Sequence, residues 1–462
     1  MPGRVILFAL TAALPAQQQA PPREPPPFRK WRYDEDYSYL RDETAATGSW
    51  WEALKYMPHG ESDLHLTLGA ELRARYEAYS NDLWGGAPVP DHDYLWLRAL
   101  PYADLRAGEH FRAFAQLISA VETDDEAGKS PPDENRSDVL QAFADFVLPL
   151  GDVTLTVRGG RQVLVYGSER LISARYGPNV LRAFDVAKVL CEGSGWRLDL
   201  LGGRPVDQKT GAFDDSTSDT ETLWAAYATA DLGPDSAAGF DLFYIGYENE
   251  AAAFNQGAGR ETRHTFGTRW FGDDGVWDWN FELFGQLGTF AGGDIRAWSI
   301  ASDSGYTLRD TALRPRLGLK ANIISGDNDP NDADLQTFNP LFPNGKYFGE
   351  IGLLGPYNLV NLQPSLALEL AKAWKLELAS VFYWRESEGD GIYDNGGNLL
   401  RGDGGSGARY IGTQFDVLLG FKPDRTFDVT LSWSTLWPGA FIRDTGPDET
   451  VYFASAELRF LF

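Results

Sequence analysis

Residues 64–77 read LHLTLGAELRARYE, with apolar side chains at the even-numbered positions and mostly polar or charged ones at the odd-numbered positions. An α-helix would mix these two sets around its circumference, whereas a β-strand places them on opposite faces. The stretch is also longer than the strand of about 5–6 residues that is usual in soluble proteins. The pattern therefore predicts a long strand with one apolar face and one charged face.

The same alternation recurs along the chain as far as residues 452–462, YFASAELRFLF. We count eighteen such segments, with predicted starts near residues 64, 92, 111, 137, 153, 183, 196, 220, 239, 261, 277, 294, 310, 360, 374, 408, 424 and 450. Connections after even-numbered segments are short and those after odd-numbered segments are mostly long, which is typical of a barrel with short turns at one end and long loops at the other. The sequence predicts an all-β fold, an eighteen-stranded antiparallel transmembrane outer-membrane β-barrel over residues 64–462.

A soluble β-propeller or β-sandwich is the alternative fold. Either would bury the apolar face in a core and would need protection for its edge strands. Neither explains why the connections alternate in length along the chain, so the membrane barrel is the better interpretation.

The N-terminal residues differ from the rest of the chain. Arg4, the apolar run at 5–14 and the small residues ending at Ala16 predict a signal peptide over residues 1–16. Residues 17–63 contain five prolines between positions 21 and 27 and several aromatic residues, and we interpret them as a periplasmic extension that docks through its aromatic side chains. The expected location is the outer membrane of a Gram-negative type cell, with both termini in the periplasm.

Composition excludes several functional classes. The net charge of −25 argues against a nucleic-acid partner held by phosphate neutralisation. A single cysteine, Cys191, excludes an internal disulfide framework and a cysteine-cluster zinc site. No G-x-S-x-G motif occurs, and we expect no enzyme activity. A barrel-embedded enzyme would require His65 to meet a serine and a carboxylate in space.

Charge is distributed unevenly between loops and strands. Five predicted outer loops carry −19 of the net charge of −25, either to keep the surface hydrated or to bind divalent cations on the protein or on lipopolysaccharide. The strands place arginines on the inward parity, where they form either cross-strand ion pairs or an anion-selective ring. We expect a lumen that is net positive at mid-height, with these arginines around its wall: Arg73, Arg75, Arg158, Arg263, Arg269, Arg314, Arg316 and Arg459.

A possible metal site lies in residues 325–334, which read SGDNDPNDAD. Asp327, Asp329, Asp332 and Asp334 space carboxylates as calcium-binding loops do, although the full EF-hand pattern is absent. The hypothesis is calcium at these four residues, and the alternative is a metal-free loop of turns capped by its own aspartates. No other cofactor is expected.

Several longer segments resemble the alginate export family of outer-membrane β-barrels. They are RYDEDYSYLRD at 32–42, WWEALKYMP at 50–58, LGAELRARYE at 68–77, GRQVLVYGSERL at 160–171, GPNVLRAFD at 177–185 and SGDNDPNDADLQTFNPLFPNGKYFGE at 325–350. The resemblance implies an eighteen-stranded pore with an arginine-rich constriction, and it points to Arg161, Arg182 and Asp185 at matched positions. Strict alternation from Val153 would turn Arg161 outward, so a lumenal position requires a β-bulge at 159–160.

The expected function is passage of a hydrophilic, anionic polysaccharide or oligosaccharide without chemistry. The expected partners are that saccharide, outer-membrane lipid and periplasmic export or secretion proteins. A general or nutrient-uptake porin is the alternative, favoured if positive and negative charges in the lumen balance.

Overall fold

The structure is a computed structural model that describes residues 27–60, 62–123, 128–233 and 236–462. The predicted signal peptide at 1–16 lies outside these described residues.

The described chain forms a barrel of eighteen strands of nine to seventeen residues. In chain order they are β1 (Leu64–Ser80), β2 (His92–Ala107), β3 (Phe111–Thr123), β4 (Asn135–Leu150), β5 (Val153–Gln162), β6 (Phe184–Gly193), β7 (Trp196–Asp207), β8 (Glu221–Asp231), β9 (Ala238–Phe254), β10 (Gly257–Asp273), β11 (Trp277–Phe290), β12 (Gly293–Thr307), β13 (Arg316–Ile324), β14 (Leu359–Ala371), β15 (Trp374–Trp384), β16 (Tyr410–Phe421), β17 (Phe427–Pro438) and β18 (Val451–Leu461).

Each strand pairs antiparallel with the strands before and after it in the chain, and β18 pairs with β1 to close the ring. Closure runs from Glu71 opposite Leu461 to Ser80 opposite Tyr452. A closed ring satisfies its own backbone hydrogen bonds, which is what a strand-built membrane protein requires. The predicted eighteen-stranded antiparallel barrel is confirmed.

The two ends of the barrel differ in their connections. At one end, which we call the turn side, the strands are joined by connections no longer than residues 308–315. At the other end, the loop side, most connections are long, although β9–β10 and β11–β12 are joined by only two residues each. Among the described residues no helix is long and apolar enough to cross a membrane.

Most predicted strand starts agree with the structure within a few residues, and the largest difference is at β13. The predicted start near residue 310 is wrong, because Leu313 and Arg314 adopt left-handed conformations with φ of 63° and 41°. Such a backbone cannot continue a pleated strand, so β13 begins at Arg316. Arg314 therefore lies in a turn, not in the barrel wall.

The alternation along each strand separates a lipid face from a lumenal face. On β1, Leu72 and Tyr76 point outward and are 44% and 43% exposed, whereas Arg73 and Arg75 point inward and are buried. The same outward apolar face is repeated around the barrel, for example by Leu242. This apolar surface suits the hydrocarbon of a bilayer, and the polar interior suits water.

Two long loops fold into the barrel instead of standing above it. Loop A (residues 163–183) follows β5, and loop B (residues 325–358) follows β13. They meet inside the barrel, where the Phe342 amide donates to the Leu171 carbonyl at 2.9 Å and the Asn344 amide donates to the Glu169 carbonyl at 3.0 Å. Apolar side chains from both loops pack in one cluster with wall residues of several strands. The two loops thus form a partition across the lumen.

The N-terminal segment, residues 27–60, packs across the turn-side mouth. It contains four short 3₁₀ turns, and Met57–Pro58 pairs with the start of β1. Tyr37, Leu40 and Trp51 form a small apolar cluster there. Aromatic side chains of the segment thus pack together at this mouth.

Candidate functional site: the lumenal cavity

A cavity of about 2450 Å³ occupies the barrel between the partition and the turn side. Turn residues such as Gly108, Gly195 and Lys422 line its open end, and residues of loops A and B, among them Tyr166 and Tyr347, line its inner end. Sixteen Lys and Arg and fourteen Asp and Glu residues line it. The cavity wall is therefore close to neutral, although the whole chain carries −25.

Most of the arginines predicted for the lumen lie on its wall, but they are held by carboxylates. Arg158 donates two hydrogen bonds to Asp145, at 2.7 and 2.8 Å. Arg75 bonds Glu457 at 3.0 Å, and the other pairs follow the same arrangement: Arg269 with Asp241, Arg316 with Asp278, and Arg459 with Asp428. The cross-strand ion-pair interpretation holds for these side chains, and their charge is largely compensated.

Other arginines fasten the partition to the wall. Arg73 donates to the Gly177 and Pro178 carbonyls of loop A at 2.9 and 2.8 Å. Arg263 is fully buried, pairs with Glu261 and donates to the Thr337 carbonyl of loop B at 3.3 Å. These two residues position loops, so the predicted role of Arg263 as a side chain lining water is wrong.

The matched positions Arg161 and Asp185 do not reach the lumen. Strands β4, β5 and β6 pair in continuous register through residues 159–161, so the predicted bulge is absent. Lys188 on β6 lines the cavity, and the alternation therefore turns Asp185 to the outer face. There Arg161 pairs with Asp185 at 2.9 and 3.0 Å, near the loop-side rim.

Arg182, the third matched residue, lies in loop A, within the partition, and does not line the cavity. Its guanidinium lies 5.1 Å from the Phe342 ring, and its Nη1 atom has no hydrogen-bond partner among the described residues. Burial lowers the pKa of Arg182 to about 10, and the nearby Glu221 carboxylate acts in the opposite direction. Arg314, in its turn, is half exposed and pairs with Glu369, so it is not a lumenal residue either.

Three lysines at the inner end of the cavity are paired more loosely than the arginines. The Lys188 ammonium lies 3.5 Å from Asp199, a carboxylate already bound by Arg197 and by the Tyr166 hydroxyl. Lys320 lies 3.8 Å from Asp303. Lys346 of loop B lies 3.5 Å from Glu350 and 3.9 Å from Glu77. We call Lys188, Lys320 and Lys346 the lysine trio.

Aromatic rings accompany the lysine trio. The Lys188 ammonium lies 5.6 Å from the Tyr166 ring, and the Lys320 ammonium lies 4.9 Å from the Tyr347 ring. Both rings belong to the partition, and both tyrosines line the cavity. Cationic groups next to ring faces offer a solute both charge and a flat apolar surface. Sequence reasoning missed the lysine trio, although Lys188 and Lys320 stand on inward positions of their strands.

The predicted calcium site is not assembled. The Asp327, Asp329 and Asp332 carboxylates each accept the amide hydrogen two residues on, at 3.2, 3.1 and 2.8 Å. Asp334 pairs with Arg296 at 3.4 Å. In the described chain, the group of acids whose ligand atoms approach within 4.8 Å of one another is Asp138, Asp214 and Asp215, which includes none of the four. In this structure the first three of these residues cap turns of the loop.

A second, smaller pocket of about 360 Å³ lies on the loop side of the partition. Asp82, Glu122, Asp133 and Asp394 supply its charged lining, and it shares no lining residue with the cavity. The boundary passes through loop B, where Glu350 lines the cavity and Ile351 lines the pocket. The loop side is thus acidic where the turn side is balanced.

Residues 64–454 match the sequence model of the alginate export family. The chain belongs to the alginate export family. No curated protein matches it by sequence. Because this family's barrels are outer-membrane pores, the protein is an outer-membrane porin or exporter, in agreement with the expected class.

Solved porins share the fold of this family member at low identity. A BenF-like porin from Pseudomonas fluorescens Pf-5 is 8% identical with a TM-score of 0.58, over 86% of this chain and 98% of that one. OccK2 (OpdF) of Pseudomonas aeruginosa, solved with glucuronate, is 11% identical with a TM-score of 0.56 over the same shares. OpdK of that organism, solved with vanillate, is 12% identical with a TM-score of 0.55 over the same shares. These likenesses concern the fold.

The surroundings of His65 do not support the alternative of a barrel-embedded enzyme. His65 lies near the turn-side rim with its ring 4.8 Å from the Tyr56 ring. Its Nδ1 atom has no hydrogen-bond partner among the described residues, so no serine or carboxylate is bonded to that nitrogen. The family match and the fold both point to passage of solute.

Proposed function

We propose that the barrel passes a hydrophilic saccharide that carries carboxylates, and that the lysine trio recognises it. The loose pairing of Lys188, Lys320 and Lys346 carries this proposal, because their ammonium groups can exchange a distant carboxylate for one on the solute. Tyr166 and Tyr347 beside them suit the flat faces of sugar rings. The glucuronate bound to OccK2 is a ligand of this chemical class in a barrel of similar fold.

The proposal also fixes an orientation. The turn side and the N-terminal segment face the periplasm, where an export protein can deliver the saccharide, and the acidic loop side faces the outside. In this reading residues 1–16 are a cleaved signal peptide and 17–63 a periplasmic extension. Outer-membrane lipid surrounds the apolar outer face.

The test measures reversal potential and channel block in planar bilayers. Across a salt gradient the unmodified protein should prefer anions, and uronic-acid oligomers should block the current at lower concentration than neutral oligomers of equal length. Changing all three lysines to methionine should abolish the anion preference and weaken the uronate block by about tenfold or more, since each lost ion pair contributes on the order of 1 kcal/mol. Lys372→Met, at an exposed turn-side position outside the cavity lining, is the matched control.

A general or nutrient-uptake porin is the second candidate, because positive and negative residues nearly balance around the cavity. It predicts a weak ion preference and equal block by charged and neutral oligomers. That outcome, or a lysine-trio variant that behaves like Lys372→Met, would reject the uronate-selective pore.

A further inference from the structure

The N-terminal segment enters the barrel and does not merely cover it. Seven residues between Phe28 and Asp36 line the cavity, and among them Lys30 and Trp31 reach the partition. The Trp31 ring contacts the Tyr176 ring of loop A edge to face at 5.8 Å. Tyr33 contacts Phe114 and Phe143 of the wall at 6.1 and 5.9 Å. The segment therefore extends from the turn-side rim to the partition.

One ion pair links the tip of the segment to the partition. The Lys30 ammonium lies 2.7 Å from the Glu169 carboxylate of loop A, and its side chain remains 39% exposed. The Glu169 carboxylate also accepts a hydrogen bond from the Ser173 hydroxyl at 3.2 Å. The Glu169 backbone carbonyl accepts one from the Asn344 amide of loop B. The tip is thus attached where the two loops of the partition meet.

Contacts at the rim hold the remainder of the segment. Arg112 donates to the Tyr33 carbonyl at 2.6 Å, and Arg106 donates to the Glu35 carbonyl at 2.7 Å. Arg32 of the segment donates to the Phe462 carbonyl at 2.9 Å. These contacts of residues 32–35 are single side-chain hydrogen bonds and not a strand ladder, so water can replace them when this part of the segment leaves.

The docked segment also carries a cost. The Lys55 ammonium is buried against Tyr102 and the Leu68 carbonyl, at 2.8 and 3.0 Å, with Arg32 close by. Burial, followed by repulsion from Arg32, lowers the pKa of Lys55 to about 7, against the opposing effect of Glu35. Lys55 itself lies outside residues 28–41, but departure of Arg32 with that stretch would remove the repulsion on the Lys55 ammonium.

We propose that residues 28–41 are a tethered plug that sets the size of solute the pore admits. While the plug is docked, it narrows the turn-side entrance to the cavity; when it leaves, an extended saccharide chain can enter from that side. The effect of the plug on ion current is independent of the proposed function. The effect of the plug on the length of saccharide admitted rests on the proposed function.

The experiment records single-channel currents in potassium chloride alone, so that it does not depend on uronate recognition. Lys30→Glu places two carboxylates at the tip contact and should raise the conductance by about twofold, because a wider open path conducts more ions. The double variant Lys30→Glu with Glu169→Lys restores opposite charges and should return the conductance to that of the unmodified protein. Glu43→Lys, an equal and opposite charge change at an exposed position of the segment outside the cavity lining, is the control and should have no effect.

A second measurement compares one assembled variant with itself, before and after a cross-link is cleaved. In a Cys191→Ser background, cysteines replace Lys30 and Glu169 and are joined by a short thiol-reactive cross-linker that a reductant cleaves. The cross-linked pore should stay at low conductance and exclude long oligosaccharides. The reductant should raise the conductance and allow long oligosaccharides to enter. Equal conductance of Lys30→Glu and the unmodified protein, or no effect of cross-linking, would overturn the plug. Loss of uronate block with an intact cross-linking effect would instead reject only the proposed substrate.

Discussion

Arg260 and Arg263 lie three residues apart on β10, yet their surroundings differ completely. Arg263 and its partner Glu261 are both fully buried beneath loop B, and Arg263 also donates to Gln286 at 2.7 Å. Arg260 pairs with Glu248 at 3.4 Å on the surface, where its side chain is 64% exposed. In a buried pair, removal of one partner leaves an uncompensated charge, whereas an exposed pair contributes little. The same residue type therefore has two different functions on one strand.

We expect Arg263→Met to lower the free energy of unfolding by about 3–5 kcal/mol, because Glu261 would remain buried without its cation. Arg260→Met should lower it by less than about 1 kcal/mol. Urea unfolding in detergent, followed by the heat-modifiable migration of the folded barrel, measures both. Equal loss in the two variants would show that the burial of the Arg263 pair has no energetic consequence.

At the scale of elements, loop B and the connection at residues 385–409 hold each other by buried polar contacts. The Asp327 amide donates to Asp390 at 3.1 Å, and the Ser387 hydroxyl donates to the Asp327 carbonyl at 2.6 Å. Both carboxyl groups are almost completely buried, and one oxygen of Asp327 has no hydrogen-bond partner among the described residues. Protonation of Asp327 would remove the charge from that unpartnered oxygen.

We call the contact between loop B and residues 385–409 the junction, and we expect it to be more stable at low pH. Burial and the neighbouring carboxylates Asp390, Asp332 and Asp329 raise the pKa of Asp327 to about 6. Because the raised pKa belongs to the closed junction, its stability grows as the pH falls through about 6 and is lost as the pH rises. Protease cleavage of loop B should be about tenfold slower at pH 5 than at pH 7.5. Asp327→Asn should remove this pH dependence, and the same dependence in that variant would assign it to another group.

The elements themselves were largely predictable, because a two-residue period is a local property of the chain. Strand number, order and inward parity follow from it, as Arg73 and Arg75 show. The pairing of charges was not predictable, since Arg75 meets Glu457 across the closure between the first and last strands. The inward folding of loops A and B was also beyond the sequence, because it depends on contacts such as Arg73 to Gly177 between distant segments. Leu313 and Arg314 fit the two-residue period although their backbone is left-handed, so the predicted strand ran through them.

At the scale of the whole molecule, fixed charge is distributed asymmetrically along the pore. The acidic pocket and loops lie on the loop side, and the nearly balanced cavity lies on the turn side. Unequal charge at the two mouths makes ion entry depend on direction when screening is weak. The screening length falls from about 10 Å at 0.1 M salt to about 3 Å at 1 M.

The pore should therefore rectify in dilute salt. We expect current of opposite polarities to differ at 0.1 M potassium chloride and to become equal at 1 M, because the loop charges no longer reach the conduction path. Current–voltage curves of singly inserted channels measure this. Symmetric curves at 0.1 M would show that the acidic side chains are already neutralised, for instance by bound divalent cations, and addition of a chelator would then have to restore the asymmetry.

The pairing of β18 with β1 determines when the N-terminal segment can dock during folding. Arg32 binds the Phe462 carbonyl, and Trp50 stacks on Phe460 with ring centroids 6.3 Å apart. Phe460 belongs to β18, whereas Arg32 and Trp50 lie more than four hundred residues earlier in the chain. The surface that Arg32 and Trp50 contact forms only when β18 has paired with β1. The N-terminal segment can therefore complete these contacts only after the barrel has closed.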